Sequence, residues 1–124
     1  MSNTDTLEQA REDGRVPWYD GNQHHPSVVI YKDKYPVTEG HLLFVPKVND
    51  SYHIRECFKL AIALGKGKVL GDNDVTGYNV GLNMGESAGQ TVMYPHVHLI
   101  YRRDNDVEFP QGGVRGVIPC KQQY

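Results

Sequence analysis

The sequence has little that would staple it, anchor it or hold it to a polyanion. It has two cysteines, Cys57 and Cys120, in no CxxC pair and with no zinc-type spacing. Neither a disulfide framework nor a zinc site is written there, and both read as free thiols. Charge of one sign is also scarce, with 13 Lys+Arg against 15 Asp+Glu, a formal net charge of −2. A protein held to nucleic acid through phosphate contacts shows a basic excess, so no nucleic-acid partner is expected. No apolar run approaches the roughly 18 residues that mark a bilayer-spanning helix, so no membrane partner is expected. Residues 1–13 are polar and acidic, unlike a secretory leader or a transit peptide. The expected setting is a reducing cytoplasm.

What is there fits one domain. The length is 124 residues, near the prior of about 150 per domain, and a chain of that size buries roughly two-thirds of its unfolded surface. Residues 1–15 read as a flexible, at most weakly helical lead-in, and residues 16–124 as the single folded unit. Residues 28–33 (VVIYKD) and 41–45 (HLLFV) are β-branched and aromatic and predict a hairpin punctuated by Pro36 and Gly40. Residues 52–69 carry Ile54, Cys57, Phe58, Ala61, Gly65 and Val69 at helical spacing, with Asp50 or Ser51 in place to cap. Residues 65–68 (GKGK) lack phosphate-loop spacing. Residues 78–83 alternate, with Tyr78, Val80 and Leu82 on one face and Asn79, Gly81 and Asn83 on the other. A small-residue loop follows, and then a strand at 96–102. Residues 112–119 predict a turn and a short strand. Two strands, a long helix and two more strands give an α+β fold, an antiparallel sheet with one long helix packed on it.

His96 and His98 are two apart on a strand and share a face. The loop before them ends in Gly89-Gln90-Thr91, whose backbone N–H groups can cradle an anion. A neutral imidazole is a competent nucleophile at phosphorus, and a second one can serve the leaving group. A His-x-His pair also serves structure or metal binding. A metal wants a third ligand, for which His41 is the candidate, because Glu108 is too far along the chain. The spacing alone leaves these three roles open. His24, His25 and His53 read as surface residues. Arg102 and Arg103 read as a solvated strand end or as phosphate-steering charges.

Residues 90–100 (QTVMYPHVHLI) resemble the signature of the histidine triad (HIT) family of nucleotide hydrolases and transferases: Gln-[Ser/Thr]-Val, then His-x-His-x-His and an apolar pair. Asp33 and Pro36 followed by Gly40-His41 and Pro46-Lys47 are similar to the family's other block, and Asn83 falls where the family has an Asn. Residues 112–119 are similar to tails of microbial members related to dinucleoside polyphosphate hydrolases. The resemblance covers residues 27–119 and departs from the pattern at Tyr94, where the family has the first histidine of its triad.

The resemblance implies that His96 is the nucleophile. It would attack the α-phosphate of a purine nucleotide derivative, a dinucleoside polyphosphate or a nucleoside phosphoramidate, and form a nucleotidyl-histidine that water hydrolyses. His98 and His41 would hold phosphate oxygens and assist the leaving group. Gln90 and Thr91, with Gly89 in their loop, would contact the phosphates, and Asp33 the ribose. Tyr31 and Val29 would line the base pocket, and Asn83 would support the ribose or phosphate end. Tyr94 would alter the hydrogen-bond support of the site while its main-chain carbonyl still holds the nucleophile. The resemblance implies a homodimer with no tightly bound cofactor, and any Mg2+ would arrive with a polyphosphate substrate. Two alternatives stand beside this reading: a nucleotide-binding sensor with little turnover, and a metal-dependent enzyme using His41, His96 and His98.

Overall fold

Alternation of side chains along four short strands builds the molecule. A computed structural model describes residues 5–122. In chain order the elements are α1 (Leu7–Glu12), β1 (Val28–Lys32), β2 (Leu42–Pro46), α2 (Ser51–Gly71), β3 (Gly77–Leu82) and β4 (Val97–Arg102). The strands form one sheet in the order β1-β2-β4-β3, every neighbour antiparallel. The hairpin, the helix and the strand pair agree with the sequence reading to within two residues at each end.

One face of the sheet belongs to α2. Val28, Phe44, Val97, Leu99 and Tyr101 project there and meet Cys57 and Ala61 of the helix. Asp50 caps α2 by accepting the His53 N–H at 2.8 Å. Gly65 is the close-contact point, since a Cβ there would come within 2.6 Å of the Tyr78 ring. Gly65 therefore lets β3 lie against the helix.

The opposite face takes Val29, Tyr31, Leu43 and Val45 from β1 and β2, with Tyr94 packed against them. The first correction lies here. Residues 7–12, expected as flexible lead-in, are a helix capped by Thr6, whose Oγ1 accepts the Gln9 N–H at 3.1 Å. Leu7 and Ala10 are buried in this core, and Leu7 N–H donates to the Lys47 carbonyl at 3.0 Å. Six residues are too few for a helical period to register in the sequence, and a helix this short owes its stability to tertiary packing. Residues 1–4 lie outside the described residues.

The second correction concerns the tail. Gly113–Val117 is a 3₁₀ turn, not a strand. Gly112, at φ 86°, starts it where the Gln122 carbonyl would collide with any side chain. This turn stands over the part of the second face that α1 leaves uncovered, the outer side of β4 and β3.

Candidate active site

Along that second face the strand register sets a row. Tyr31 pairs with Leu43, Leu43 with His98, and His98 with Gly81, so all four project to the same side. Gly81, lacking a side chain, leaves room beside His98. His41 lies one residue before β2, and His96 one residue before β4.

The protonation of the histidines follows from their partners. His96 Nδ1 lies 2.9 Å from the Tyr94 carbonyl. A carbonyl only accepts, so Nδ1 carries a proton, and in the neutral ring Nε2 keeps the lone pair. Val37 N–H donates to His41 Nδ1 at 3.0 Å, so the proton of neutral His41 is on Nε2. That Nε2 lies 2.9 Å from His98 Nδ1 and donates to it. His98 therefore keeps its own proton on Nε2. A backbone amide thus fixes two imidazoles in series, and the chain ends in an N–H donor beside a bare nucleophilic nitrogen. The His96 and His98 ring centroids are 5.2 Å apart.

Asp33 closes the arrangement. Its Oδ2 lies 3.4 Å from His41 Nε2, and its Oδ1 accepts the Tyr35 N–H at 2.8 Å. Burial pushes the pKa of His98 down to about 4, helped by the repulsion that a proton there would meet from protonated His96 or His41 and opposed by Asp33. Burial lowers His41 as well, again opposed by Asp33. Both rings are therefore neutral in the folded chain at pH 7. Between pH 6.5, the ordinary histidine value, and about 4, the unfolded chain binds more protons than the folded one. The stabilisation is fully present above pH 6.5 and falls as pH drops through that window. Urea titrations at pH 7 and pH 5 are expected to show lower stability at pH 5, with the difference reduced in His98→Gln.

The remaining expected residues divide. Asn83 lines the same cavity as His41 and His98, and Thr91 is exposed on the adjoining loop. Gly89, at φ 93°, supplies the loop's left-handed turn. Gln90 does not present its amide to a ligand. It is buried, its Oε1 accepts the Gly85 N–H at 2.8 Å, and its Nε2 donates to the Met93 carbonyl at 3.0 Å. It closes its own loop with both ends of its amide. Tyr31 and Val29 do lie on the site face, but each is 2% exposed. Tyr31 accepts from Arg11 Nη2 through its hydroxyl at 2.6 Å, so α1 covers the pair and they form a floor, not a lining.

Sequence reasoning missed Trp18. Its ring stands edge-on to His96 at 4.9 Å and is 5.8 Å from the Tyr31 ring. A lone tryptophan in a polar segment was the available signal. Arg102 and Arg103, at the strand end, are both held in ion pairs. Arg102 is paired with Asp106 at 2.7 and 2.8 Å, and Arg103 with Asp74 at 3.0 Å.

Tyr94 differs most from expectation. It is 1% exposed, and its hydroxyl donates to the Pro46 carbonyl at 2.7 Å. Burial raises its pKa. The phenol ties the entry of β4 to the end of β2 and takes no part in the histidine network.

The metal trio weighed from the sequence is not the one the fold gathers. Among the described residues, Asp33, His41 and His98 bring ligand atoms within 4.8 Å of one another, and His96 is outside the group. A metal on His41 Nε2 would force that ring's proton onto Nδ1, against the Val37 N–H. The site's own hydrogen bonds oppose that tautomer.

The HIT domain model matches residues 22–105. The chain belongs to the histidine triad family. An uncharacterised HIT-like protein of Saccharolobus solfataricus is 28% identical over 109 residues, covering 77% of this chain and 70% of that protein. An uncharacterised HIT-like protein of Borreliella burgdorferi is 30% identical over 104 residues, covering 68% of this chain and 73% of that protein. Among solved structures, the histidine triad nucleotide-binding protein of Candida albicans superposes with a TM-score of 0.59 at 25% identity, over 81% of this chain and 76% of that one. In this HIT domain no helix among the described residues is long and apolar enough to cross a membrane.

Proposed function

We propose that this HIT protein hydrolyses a nucleoside phosphate derivative through a covalent intermediate on His96. The observation that carries the reading is the hydrogen bond from His96 Nδ1 to the Tyr94 carbonyl, which in the neutral ring leaves Nε2 with the lone pair. In the first step Nε2 bonds to the α-phosphorus. The bond from phosphorus to the leaving atom breaks, and its electron pair goes with that atom. His98 Nε2–H donates a hydrogen bond to the departing atom, and where a proton is needed it comes from solvent. In the second step water attacks phosphorus, the P–Nε2 pair returns to His96, and the surplus proton goes to solvent. The sensor reading rested on the change at Tyr94, whose side chain is spent on Pro46.

Phosphoramidate bonds to histidine are acid-labile, so the test is an alkaline quench followed by mass spectrometry. A nucleotidyl adduct on His96 is expected. Its absence under burst conditions, or its presence on another residue, overturns the assignment.

Asp33 is assigned to the ribose. A hydrogen bond to a charged acceptor is worth about 1.5–3 kcal/mol. Asp33→Asn is therefore expected to weaken a ribonucleotide by roughly 10- to 150-fold and to reduce the preference over the 2′-deoxy analogue, read by calorimetry with both sugars. Equal losses for both sugars would remove Asp33 from this role.

A further inference from the structure

Two rings stand beside His96. His98 lies 5.2 Å away and Trp18 4.9 Å away, the latter with 63° between the ring planes. The hydrogen bond at Nδ1 fixes one corner of the imidazole and leaves the ring free to rock about that bond. A tilted aromatic contact at the Trp18 spacing is in the range such pairs prefer, and it restrains the plane. Trp18 is half-buried and belongs to no helix or strand, so its own position has to be held by something else. Three contacts do that. Its ring lies 5.8 Å from the Tyr31 ring. Its carbonyl accepts from Arg11 Nη2 at 3.3 Å, and the same Nη2 donates to the Tyr31 hydroxyl at 2.6 Å. Val16, two residues earlier, is buried in the cluster that holds Leu7 and Ala10. The short helix α1 is thus anchored by its apolar side and sends Arg11 across to clamp both aromatic residues.

We infer that Trp18 is a positioning residue for the nucleophile: it fixes the plane of the His96 ring, and Arg11 of α1 fixes Trp18. Its effect on rate rests on the hydrolase reading above, whereas the restraint on the ring stands without it. Attack at phosphorus needs the Nε2 lone pair aligned with the bond that breaks, and small misplacements of a reacting group are costly in rate. A ring pinned at one corner sweeps Nε2 through an arc. A ring pinned at one corner and held against an indole keeps its aim. The segment before the sheet therefore acts on the reaction through His96, with no contact to the reacting atoms required of it.

The test uses Trp18→Leu, Trp18→Phe and Arg11→Met, with two readouts. The first is the single-turnover rate on adenosine 5′-phosphoramidate, set against affinity for AMP by calorimetry. Trp18→Leu is expected to lower the rate about 2- to 13-fold, the equivalent of one aromatic pair, with AMP affinity within twofold of the parent. Arg11→Met, which keeps the aliphatic stem but loses both hydrogen bonds, is expected to lower the rate in the same way. Trp18→Phe keeps a ring at this position and is expected to recover most of the loss. The second readout is 13C relaxation of the His96 ring in the ligand-free protein, where the order parameter is expected to fall in Trp18→Leu and Arg11→Met and to recover in Trp18→Phe. A loss of AMP affinity larger than the loss of rate would show that Trp18 serves the nucleotide and not the nucleophile, and overturns the inference. An unchanged ring order parameter overturns it as well, as does a Trp18→Phe variant no better than Trp18→Leu in both readouts, since bulk alone then explains the residue. If the parent turns over no substrate, the hydrolase reading falls, and the relaxation measurement by itself decides whether Trp18 holds the ring.

Discussion

His96→Ala is expected to lower turnover by on the order of 10⁴-fold or more, the scale seen when a nucleophile is removed from a site whose groups act as a unit. Its neighbours do not compensate. His98 Nδ1 is occupied by the His41 donor and its Nε2 carries the proton, so it offers no lone pair. His41 has the same limitation, with Nδ1 taken by Val37 and its proton directed at His98. Nucleotide affinity is expected to stay within a few-fold, because the groups proposed to bind it, Asp33, Asn83 and the loop, are left in place. Single-turnover kinetics and calorimetry on the same preparation separate the two effects. Turnover of the alanine variant within about tenfold of the parent would remove His96 from the chemistry.

Tyr94→Ala is expected to be the most destabilising of the substitutions discussed, at about 3–5 kcal/mol, the range for deleting a large buried aromatic side chain. The ring is enclosed by the cluster that α1 and β2 build, and its hydroxyl satisfies the Pro46 carbonyl. Tyr94→Phe keeps the ring and loses the donor. A buried carbonyl left without a partner costs about 1–3 kcal/mol, so its midpoint in urea is expected to fall between those of the parent and Tyr94→Ala, at similar slope. Tyr94→His puts a smaller, more polar ring in the same enclosure and is expected to lose stability without gaining turnover, since the nucleophile is held by the backbone carbonyl at 94 and not by its side chain. A large gain in kcat for Tyr94→His would show that the phenol restrains the site.

The fold was legible because each long element carries its own period. Ile54, Cys57, Ala61 and Gly65 mark one helical stripe, and Val97, Leu99 and Tyr101 alternate with His96, His98 and Ile100. The helix at residues 7–12 was not, because two buried residues in six make no period and its reason for forming lies in Lys47 and the far side of the sheet. At the site, residue types were legible and assignments of side-chain direction were not. His41, His96 and His98 share a face by parity alone. That Gln90 spends both ends of its amide on its own loop, that Tyr31 lies under α1, and that Trp18 stands against His96 depend on the path of segments with no regular structure. Tyr94 shows the same division. The sequence marks it as a departure from the family pattern, but where its hydroxyl goes is set by β2, whose last carbonyl is 48 residues earlier in the chain.

The series from Val37 through His41 to His98 has a direction. Every hydrogen in it points the same way, and reversing any one bond would set two donors or two acceptors against each other elsewhere along the series. It therefore works as a polarity filter at its open end. An atom that faces His98 Nε2–H is welcome while it holds a lone pair, as the leaving atom would in the reaction proposed above. A group with only hydrogens to show, such as an ammonium, meets a donor there and is turned away. In that proposed reaction the wiring that helps a leaving atom depart would also disfavour its protonated form staying.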